Sequence, residues 1–560
     1  MGKRKWNIIL GTMILGFGLI LTGCGEKQKK STDTGDQNSE KKLTVAIQTS
    51  SFVTDYEDNF FTKYLEKKTG IDLTFYQMPA DASEFRTKVS LMVTNGEEMP
   101  DVIICDNCLT PETILDYGSK GAFIPLNDYI NDEKKSPNFN KIPKEDQDVI
   151  LQAITNADGK IYSLPKYEPE TWNLTPYRMY INGSWLKKLN LQPPETTEEL
   201  YQVLKAFREQ DPNGNGQNDE IGAYGFLNGG YGEASPWALM NSFVFYNGGG
   251  QNGGLSLDEN GKVIAPFTTE EWKDGLRYMN QLYEEGLMPA SVFTDDDTQF
   301  KATLNAETNV VGFVSSGSTS VWGDATKSIN FQEMDIIKPL KGPKGVAYTP
   351  YSSYSPSNAF FITSACKDPD LAFLLGDTLL DNETGLVARY GEEGVDWSRE
   401  ESDMEGNSSV AVYSGMYDKL SLVTTSNLWV EQQNQTWRNV NPRYASLKQG
   451  TTVGNKLIPF DPDSKNDQLG LVNLENYYPA HPEEILPLLH YSEEEAAAVT
   501  QALTSIPDYI KQSTSEFVIG QRNIDSDWEN YKKELDSMGL SEWIKNAQSA
   551  YERMKKQEAK

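Results

Sequence analysis

The residue types and spacing best suited to chemistry lie in Asp211-Pro-Asn213-Gly-Asn215-Gly-Gln217-Asn-Asp219-Glu220. Oxygen-bearing side chains recur at alternate positions, and the two glycines let the backbone curl so that those oxygens converge. A hard cation such as Ca²⁺, which takes oxygen ligands in a flexible geometry, suits that arrangement. The acidic pair Asp219-Glu220 arrives early for a calcium-binding loop of the helix-loop-helix type, and a bidentate Glu at the loop's end is missing. A metal-free turn rich in Asn and Gly therefore stays open as the alternative. The loop falls between a predicted helix, Thr197 to Gln210, and a strand beginning at Ile221, so a bound ion would staple structure rather than catalyse.

A second set of groups is aromatic. The chain has 11 Trp and 28 Tyr, and several stand in segments rich in Gly, Pro, Asn or Ser, where core packing explains them less well. A flat aromatic face stacks on the C–H face of a sugar ring, while Asn, Asp and Glu beside it take the hydroxyls. By this loop context Trp172, Tyr231, Trp237, Trp322, Tyr354 and Trp397 are candidate stacking faces. Glu393, Asn228 and Asn358 are candidate hydroxyl partners. For each aromatic singly, packing remains the competing explanation; as a set in loops they point to a saccharide cleft.

Catalytic constellations are missing from the sequence. No Gly-x-Ser-x-Gly elbow, Gly-rich phosphate loop or cysteine with a nearby histidine is present. Carboxylate pairs such as Glu392-Glu393 are common in a chain with 81 acidic residues, so they do not argue for a glycosidase. Cys105 and Cys108 follow the apolar run Asp101-Val-Ile-Ile and lack the setting before a helix that thiol redox motifs use. A structural pair, with or without a local disulfide, is the expectation. Cys366 is alone, and His481 and His490 stand apart in Pro-rich surroundings, which disfavours a zinc site.

Positioning these groups requires an alternating scaffold. Leu43 to Ile47, Ile71 to Phe75 and Asp101 to Cys105 read as strands, separated by helices at Asn59 to Thr69 and around Ser83 to Thr94. Such β-α-β-α-β order argues for a parallel sheet covered by helices. Further strands are expected at Ile161 to Pro165, Met179 to Ile181, Val310 to Val314, Asp335 to Lys338 and Ala359 to Ile362. Helices alternate with them at Gly183 to Leu189, Thr269 to Glu285 and Asp368 to Leu380. The chain ends in helices at Ser492 to Gln512 and Trp528 to Lys555, the latter broken by Gly539, whose aromatics are expected to pack.

At the N-terminus, Lys3, Arg4 and Lys5 precede an apolar run, Ile8 to Leu21, and then Leu21-Thr22-Gly23-Cys24. A charged region, a short apolar region and a small-residue cleavage site read as a secretory signal, residues 1–23. Its end resembles a lipobox, which implies lipidation of Cys24 and anchoring to the outer face of the cell membrane. Residues 24–42 are almost wholly polar and read as a flexible tether. The formal charge is −30, and losing Lys3, Arg4 and Lys5 with the signal makes it −33, which disfavours nucleic acid as a partner. It also disfavours a polyanionic ligand unless a local pocket opposes the overall field.

Several segments together resemble the family 1 extracellular solute-binding proteins of ABC importers, in particular the large members that bind alginate and other complex oligosaccharides. Asn59-Phe-Phe-Thr-Lys-Tyr-Leu-Glu-Lys-Lys-Thr-Gly-Ile71 looks like the family's first helix and turn, and Gly96-Glu-Glu-Met-Pro-Asp-Val102 like its Gly…Pro-Asp segment. Tyr180 to Leu191, continuing through the Asp211 loop to Ile221, is the most specific stretch. Tyr390-Gly-Glu-Glu-Gly-Val-Asp-Trp397 and the segments around Phe517, Trp528 and Ala550 extend the likeness to the C-terminus. The resemblance implies a periplasmic-binding-protein-like α/β fold, with two α/β lobes, a ligand cleft between them and additional C-terminal helices. It implies a monomeric, non-enzymatic receptor that closes by hinge motion on an oligosaccharide and is recognised by a membrane permease. It also implies calcium at Asp211, Asn213, Asn215, Gln217 (through its carbonyl), Asp219 and Glu220. Residues 43–170 would begin lobe one, 171–345 form lobe two, 346–430 return to lobe one, and 431–560 hold a crossing segment and the C-terminal helices. Crossings between lobes are expected near Pro165 to Tyr180, Pro339 to Ser357 and Leu420 to Pro442. A surface polysaccharide-degrading enzyme and a peptide- or sensor-partner-binding lipoprotein are the alternatives to this reading.

Overall fold

Leu43, Val45 and Ile47 alternate with Thr44 and Ala46 along a strand, Lys42–Gln48, that is apolar on both faces. A strand of that kind belongs inside a sheet covered on both sides. A computed structural model of the chain places it there. The structure describes residues 41–558 apart from 96–98, 169–170, 250, 324–327, 352–355, 399–408, 415–417, 425–427, 429–431, 439, 445–456 and 459–464. The signal segment, Cys24 and most of the expected tether lie outside the described residues.

Two larger sheets organise the molecule. In the first, the spatial order is Arg443–Tyr444, Leu164–Tyr167, Ser357–Ile362, Val102–Ile104, Lys42–Gln48 and Asp72–Met78. Lys42–Gln48 runs parallel to both of its neighbours, as the β-α-β-α-β pattern requires. Val45, Ile47, Val102, Ile104, Phe360 and Ile362 face one core, and Ala46, Ile103 and Phe361 face another on the opposite side. The covering helix Phe60–Thr69 starts where the Asn59 side chain accepts the Phe61 N–H, and it stops at Gly70, whose φ of 71° suits the left-handed cap.

The second sheet has the order Met334–Ile336, Arg178–Asn182, Val311–Ser316 and Ile221–Tyr224. Thr197–Glu209, capped by a Thr196–Glu199 box, and Glu270–Glu284, capped by Thr269, pack beside it. The C-terminal helices Glu493–Val518, Trp528–Ser537 and Leu540–Glu558 share this second core, with Trp528, Tyr531 and Trp543 buried as expected. Gly539, at φ 96°, separates the last two. Residues Trp397–Ser398, Ser409–Ser414, Asp418–Thr424 and Leu457–Ile458 form a smaller third sheet.

The two main sheets make this a two-lobed α/β fold, and the chain passes between them three times. It leaves the first sheet at Tyr167 and joins the second at Arg178, returns between Ile336 and Ser357, and leaves again after Tyr444. Residues Gln433 to Thr436 instead bond to the first lobe, with Phe60 and Phe61 donating to the Asn434 and Gln435 carbonyls. The third passage therefore falls after the stretch 420–442 where the sequence suggests it. Tyr477 ties the passages together, since its hydroxyl donates to the Ile337 carbonyl at 2.6 Å and accepts the Met179 N–H at 2.8 Å.

Candidate functional site

Ligands of open α/β sheets bind beyond the carboxyl ends of the strands, and in the first lobe those ends carry charge. The Asp106 N–H, just past Val102–Ile104, donates to the Gln48 side chain at 3.0 Å. The Asp106 carboxylate pairs with the buried Lys166 ammonium at 2.5 Å and accepts from the Ser357 hydroxyl at 3.2 Å. Burial pushes Lys166 below the usual lysine range, and Asp106 opposes that without reversing it. One residue past Leu164–Tyr167, the buried carboxylate of Glu168 takes hydrogen bonds from Arg443 Nε and Arg389 Nη1, both at 2.6 Å. Burial alone would raise Glu168, but the charges of Arg389 and Arg443 outweigh it and hold the group far below the usual carboxylate range.

The facing wall of the second lobe is hydrogen-bonded rather than ion-paired. Tyr231 donates its phenol O–H to the Asn173 side chain at 2.8 Å and its N–H to Glu233 at 2.7 Å. Arg178, fully buried, donates to the Thr175 carbonyl, the Asn473 side chain and the Gly317 carbonyl. Burial raises the Tyr231 phenol, and its electrostatic neighbours include Arg178 on its own lobe and Arg389 and Glu168 on the other. The two walls therefore face each other across the seam.

The passages between lobes supply aromatic surface. Tyr351 lies 4.1 Å from His481 and 6.2 Å from Tyr478, centroid to centroid. Tyr351 and Tyr478 also interact electrostatically with Tyr167 at the end of its first-lobe strand. Tyr478 is 37% exposed, unusually open for a large ring, and directly follows a π-helical turn, Asn473–Tyr477. An open ring on a passage between lobes, near the first-lobe strand that carries Lys166 and leads into Glu168, suits a ligand with one apolar face and many hydroxyls.

Of the nine side chains expected to contact ligand, the structure brings Tyr231 to the seam. Trp237, Trp322 and Trp397 are corrections, because all three are 2% exposed or less. Trp237 packs 5.1 Å from Tyr246 and 5.9 Å from Trp272, and Trp322 meets the edge of Tyr180 at 5.1 Å. The Trp397 indole donates to the Gly391 carbonyl at 2.9 Å. The nearby glycines mark close packing instead of open loop: a Cβ on Gly248 would stand 2.6 Å from the Tyr177 hydroxyl and 3.7 Å from the Trp237 ring. Asn358 is a further correction, being buried in its strand and accepting from Ser163. Asn228 and Glu393 are exposed. Tyr354 and the side chain of Trp172 lie outside the described residues. Tyr478, His481, Lys166, Glu168 and Arg389 were not candidates; the Tyr-Tyr-Pro-Ala-His run at 477–481 was the one local signal for any of them.

The loop Asp211 to Glu220 has closed on itself. The Asp211 carboxylate accepts the N–H groups of Gly214 and Gly216, at 2.9 and 3.1 Å, and the Asn213 and Asn215 amides donate to Asp219. Both carboxylate oxygens of the buried Glu220 have no hydrogen-bond partner among the described residues. Burial first, then the like charges of Asp219 and Asp211, raise its affinity for a proton. A buried anion without a partner fits a cation. Among the described residues no group of three His, Cys, Asp or Glu side chains is set as a complete metal site, so amide and backbone oxygens would have to complete the shell. The three described cysteines are free thiols and buried, and burial holds Cys105 well above the usual thiol range.

The family model for bacterial extracellular solute-binding proteins matches residues 50–385. The chain is 28% identical over 564 residues, 95% of each chain, to the fructooligosaccharide ABC transporter substrate-binding protein FusA of Streptococcus pneumoniae serotype 4. It is 26% identical to Lipoprotein LipO of Bacillus subtilis, over 82% of this chain and 86% of that one. The solved structure of the S. pneumoniae FusA EF-hand mutant with fructo-nystose superposes with a TM-score of 0.72 at 24% identity, covering 92% of this chain and all of the other.

Proposed function

We propose, from the premise that this chain belongs to the bacterial extracellular solute-binding proteins, that it is the capture component of an ABC importer for oligosaccharides. The observation that carries this reading is the seam, where Tyr231 of one lobe lies within electrostatic reach of Glu168 and Arg389 of the other, and the open ring of Tyr478 lies near Tyr167 at the end of a first-lobe strand. A sugar ring stacks on Tyr478, with Tyr351 and His481 behind it. Asp106, Lys166, Glu168 and Arg389 exchange hydrogen bonds with its hydroxyls. Closure swings the lobes about the passages that Tyr477 ties together, and the permease takes the closed form. The protein binds without turnover and acts as a monomer. We read 43–170 and 346–444 as the first lobe, 171–345 as the second, and the residues after 444 as the last crossing and the C-terminal helices.

Calcium belongs to this reading as a structural ion. Asp211, Asn213, Asn215, the Gln217 carbonyl, Asp219 and Glu220 would hold it, and it would neutralise the Glu220 charge. The FusA structure described as an EF-hand mutant supports the loop's role. The chain start supports an anchor: cleavage after Gly23 and lipid on Cys24 would hold the receptor near its permease at high effective concentration.

The test is isothermal titration of the mature chain with kestose, nystose and oligogalacturonides. Saturable binding to at least one, weakened by Tyr478→Ala, is expected. Saturable binding to none of them, or release of shortened sugars on incubation, overturns the reading.

A further inference from the structure

Besides the seam and the passages, the two lobes meet where the C-terminal helices begin. Glu493–Val518, part of the second core, packs against the first-lobe helix Pro111–Ser119, whose Ile114 and Tyr117 share a core with Ile103 and Phe361. The residues just ahead of Glu493 are fastened to the second lobe. Asn252 donates to the Pro487 carbonyl at 2.7 Å and accepts the Leu489 N–H at 3.1 Å. Arg553 of the last helix donates to the His490 carbonyl at 2.7 Å, and the Trp543 indole donates to the Tyr491 hydroxyl at 3.1 Å. The side chains reach the other way. The His490 ring meets the main chain of Gln152 in the helix Lys144–Ile154, whose Ile150 and Ile154 lie in a first-lobe core. Tyr491 lies within electrostatic reach of Glu112, and Glu493 of Lys120, both on the first lobe.

The His490 ring is 7% exposed, and neither of its nitrogens has a hydrogen-bond partner among the described residues. Burial pushes it down to about 4; the Gln152 main chain opposes this without reversing it, and the like charge of Arg553 adds to it. The other ionisable groups at this contact are Tyr491, Glu493 and Glu495 on the C-terminal side, Glu112 and Lys120 on the first lobe, and the Lys144–Asp148 pair one turn before Gln152. Glu495 is already held by both terminal nitrogens of Arg553, at 2.6 and 2.9 Å, so it does not answer a charge on His490. Histidine is the side chain whose ordinary value falls in the window from pH 5 to pH 8.

We infer that the start of the C-terminal helices, with His490 and Tyr491 at its tip, is an acid-released clasp holding the lobes in their closed arrangement; the inference rests on the hinge motion proposed above. Groups of both lobes cover the ring, so parting the lobes uncovers it. An uncovered ring takes a proton at its ordinary value of 6.5, and a covered one only near 4. The clasp therefore has its full strength above pH 6.5 and weakens as pH falls toward 4. Between pH 7.5 and pH 5.5 the ratio of open to closed chains rises ~10-fold.

The test is small-angle X-ray scattering from the ligand-free mature chain at pH 7.5 and pH 5.5, with proton NMR of the histidine rings, of which the chain has only those of His481 and His490. A radius of gyration that rises at pH 5.5 together with a shift of the His490 signal is the expected result. The rise is absent in His490→Phe and in His490→Gln, which stay uncharged, and persists in His481→Gln. An equal radius at both pH values in the wild-type chain, a rise that survives in either His490 variant, or one lost in His481→Gln overturns the clasp. No sugar enters this measurement. A chain that binds oligosaccharide but keeps its radius refutes the clasp alone, and one that opens in acid but binds no oligosaccharide refutes the receptor reading alone.

Discussion

Two buried carboxylates in this molecule are held in opposite ways. Glu168, at the seam, receives Arg443 and Arg389 at 2.6 Å each, and their charges hold it far below the usual carboxylate range. Glu220, in the Asp211 loop, is as well buried, yet its oxygens have no hydrogen-bond partner among the described residues, and its neighbours Asp219 and Asp211 carry the same sign. The first is a finished ion pair built from the chain's own groups. The second has no cationic partner among the described residues, so a proton or a bound cation would balance it. The difference teaches that burial alone does not say whether a carboxylate is balanced from within the chain; the partner's origin does.

The comparison breaks most sharply if Glu168 is removed. Glu168→Ala strands Arg443 in the core, and the expected loss is ~3–5 kcal/mol of unfolding free energy, read by urea denaturation. Equal stability for the two chains would mean that the pair is not the seam's support. Next in size is chelation. With free calcium about 100-fold above its dissociation constant, withdrawal by EDTA costs ~2.7 kcal/mol, seen as a lower Tm, while Glu220→Gln shows no such response. An EDTA-insensitive wild-type melt would refute the calcium assignment.

Tyr478→Ala tests the seam as a surface. It is expected to weaken oligosaccharide binding ~10-fold, about 1.4 kcal/mol, with Tm unchanged because the ring is open. The smallest effect is a pH dependence of opposite sign at the two carboxylates. Glu168, lowered on folding, stabilises above the ordinary Glu range, and that contribution is lost as pH falls through its folded value. Glu220, raised on folding, favours the folded state most when protonated, and this advantage is lost as pH rises through its folded value. In EDTA, Glu220→Gln should therefore gain on the wild-type chain between pH 5 and pH 7.5. A constant difference across that window would show that Glu220 is not titrating there.

Sequence patterns revealed the scaffold more fully than the site. Helix Glu270–Glu284 differs from its expected bounds, Thr269 to Glu285, only by its two caps, since period and capping are local. The parallel run of Asp72–Met78, Lys42–Gln48 and Val102–Ile104 follows from alternation of elements in the same way, whereas Ser357–Ile362, which arrives from the other lobe, enters the sheet antiparallel. Side-chain exposure in irregular segments is not local. Trp237 and Trp322 stand among glycines and serines because the backbone folds tightly over them, so the composition of an open loop and of a wrapped core looks alike. Glu168, Arg389 and Arg443 meet across more than two hundred positions, and no spacing announces such a cluster. The Asp211 loop could be read because its groups are consecutive.

The shared core of the second lobe and the C-terminal helices fixes an order of events. The Met179 N–H finds its acceptor in Tyr477, 298 positions later, and the core around it is completed by Trp528, Trp543 and Met554. Contacts so distant along the chain form slowly, because a long loop must close before they repay its entropy. A nascent chain ending before Glu493 has its second-lobe strands and the helices Thr197–Glu209 and Glu270–Glu284, but not the C-terminal helices that complete their core. The second lobe thus reaches its full core only after almost the whole chain is present, whereas the first-lobe cores draw on no residue beyond Tyr444.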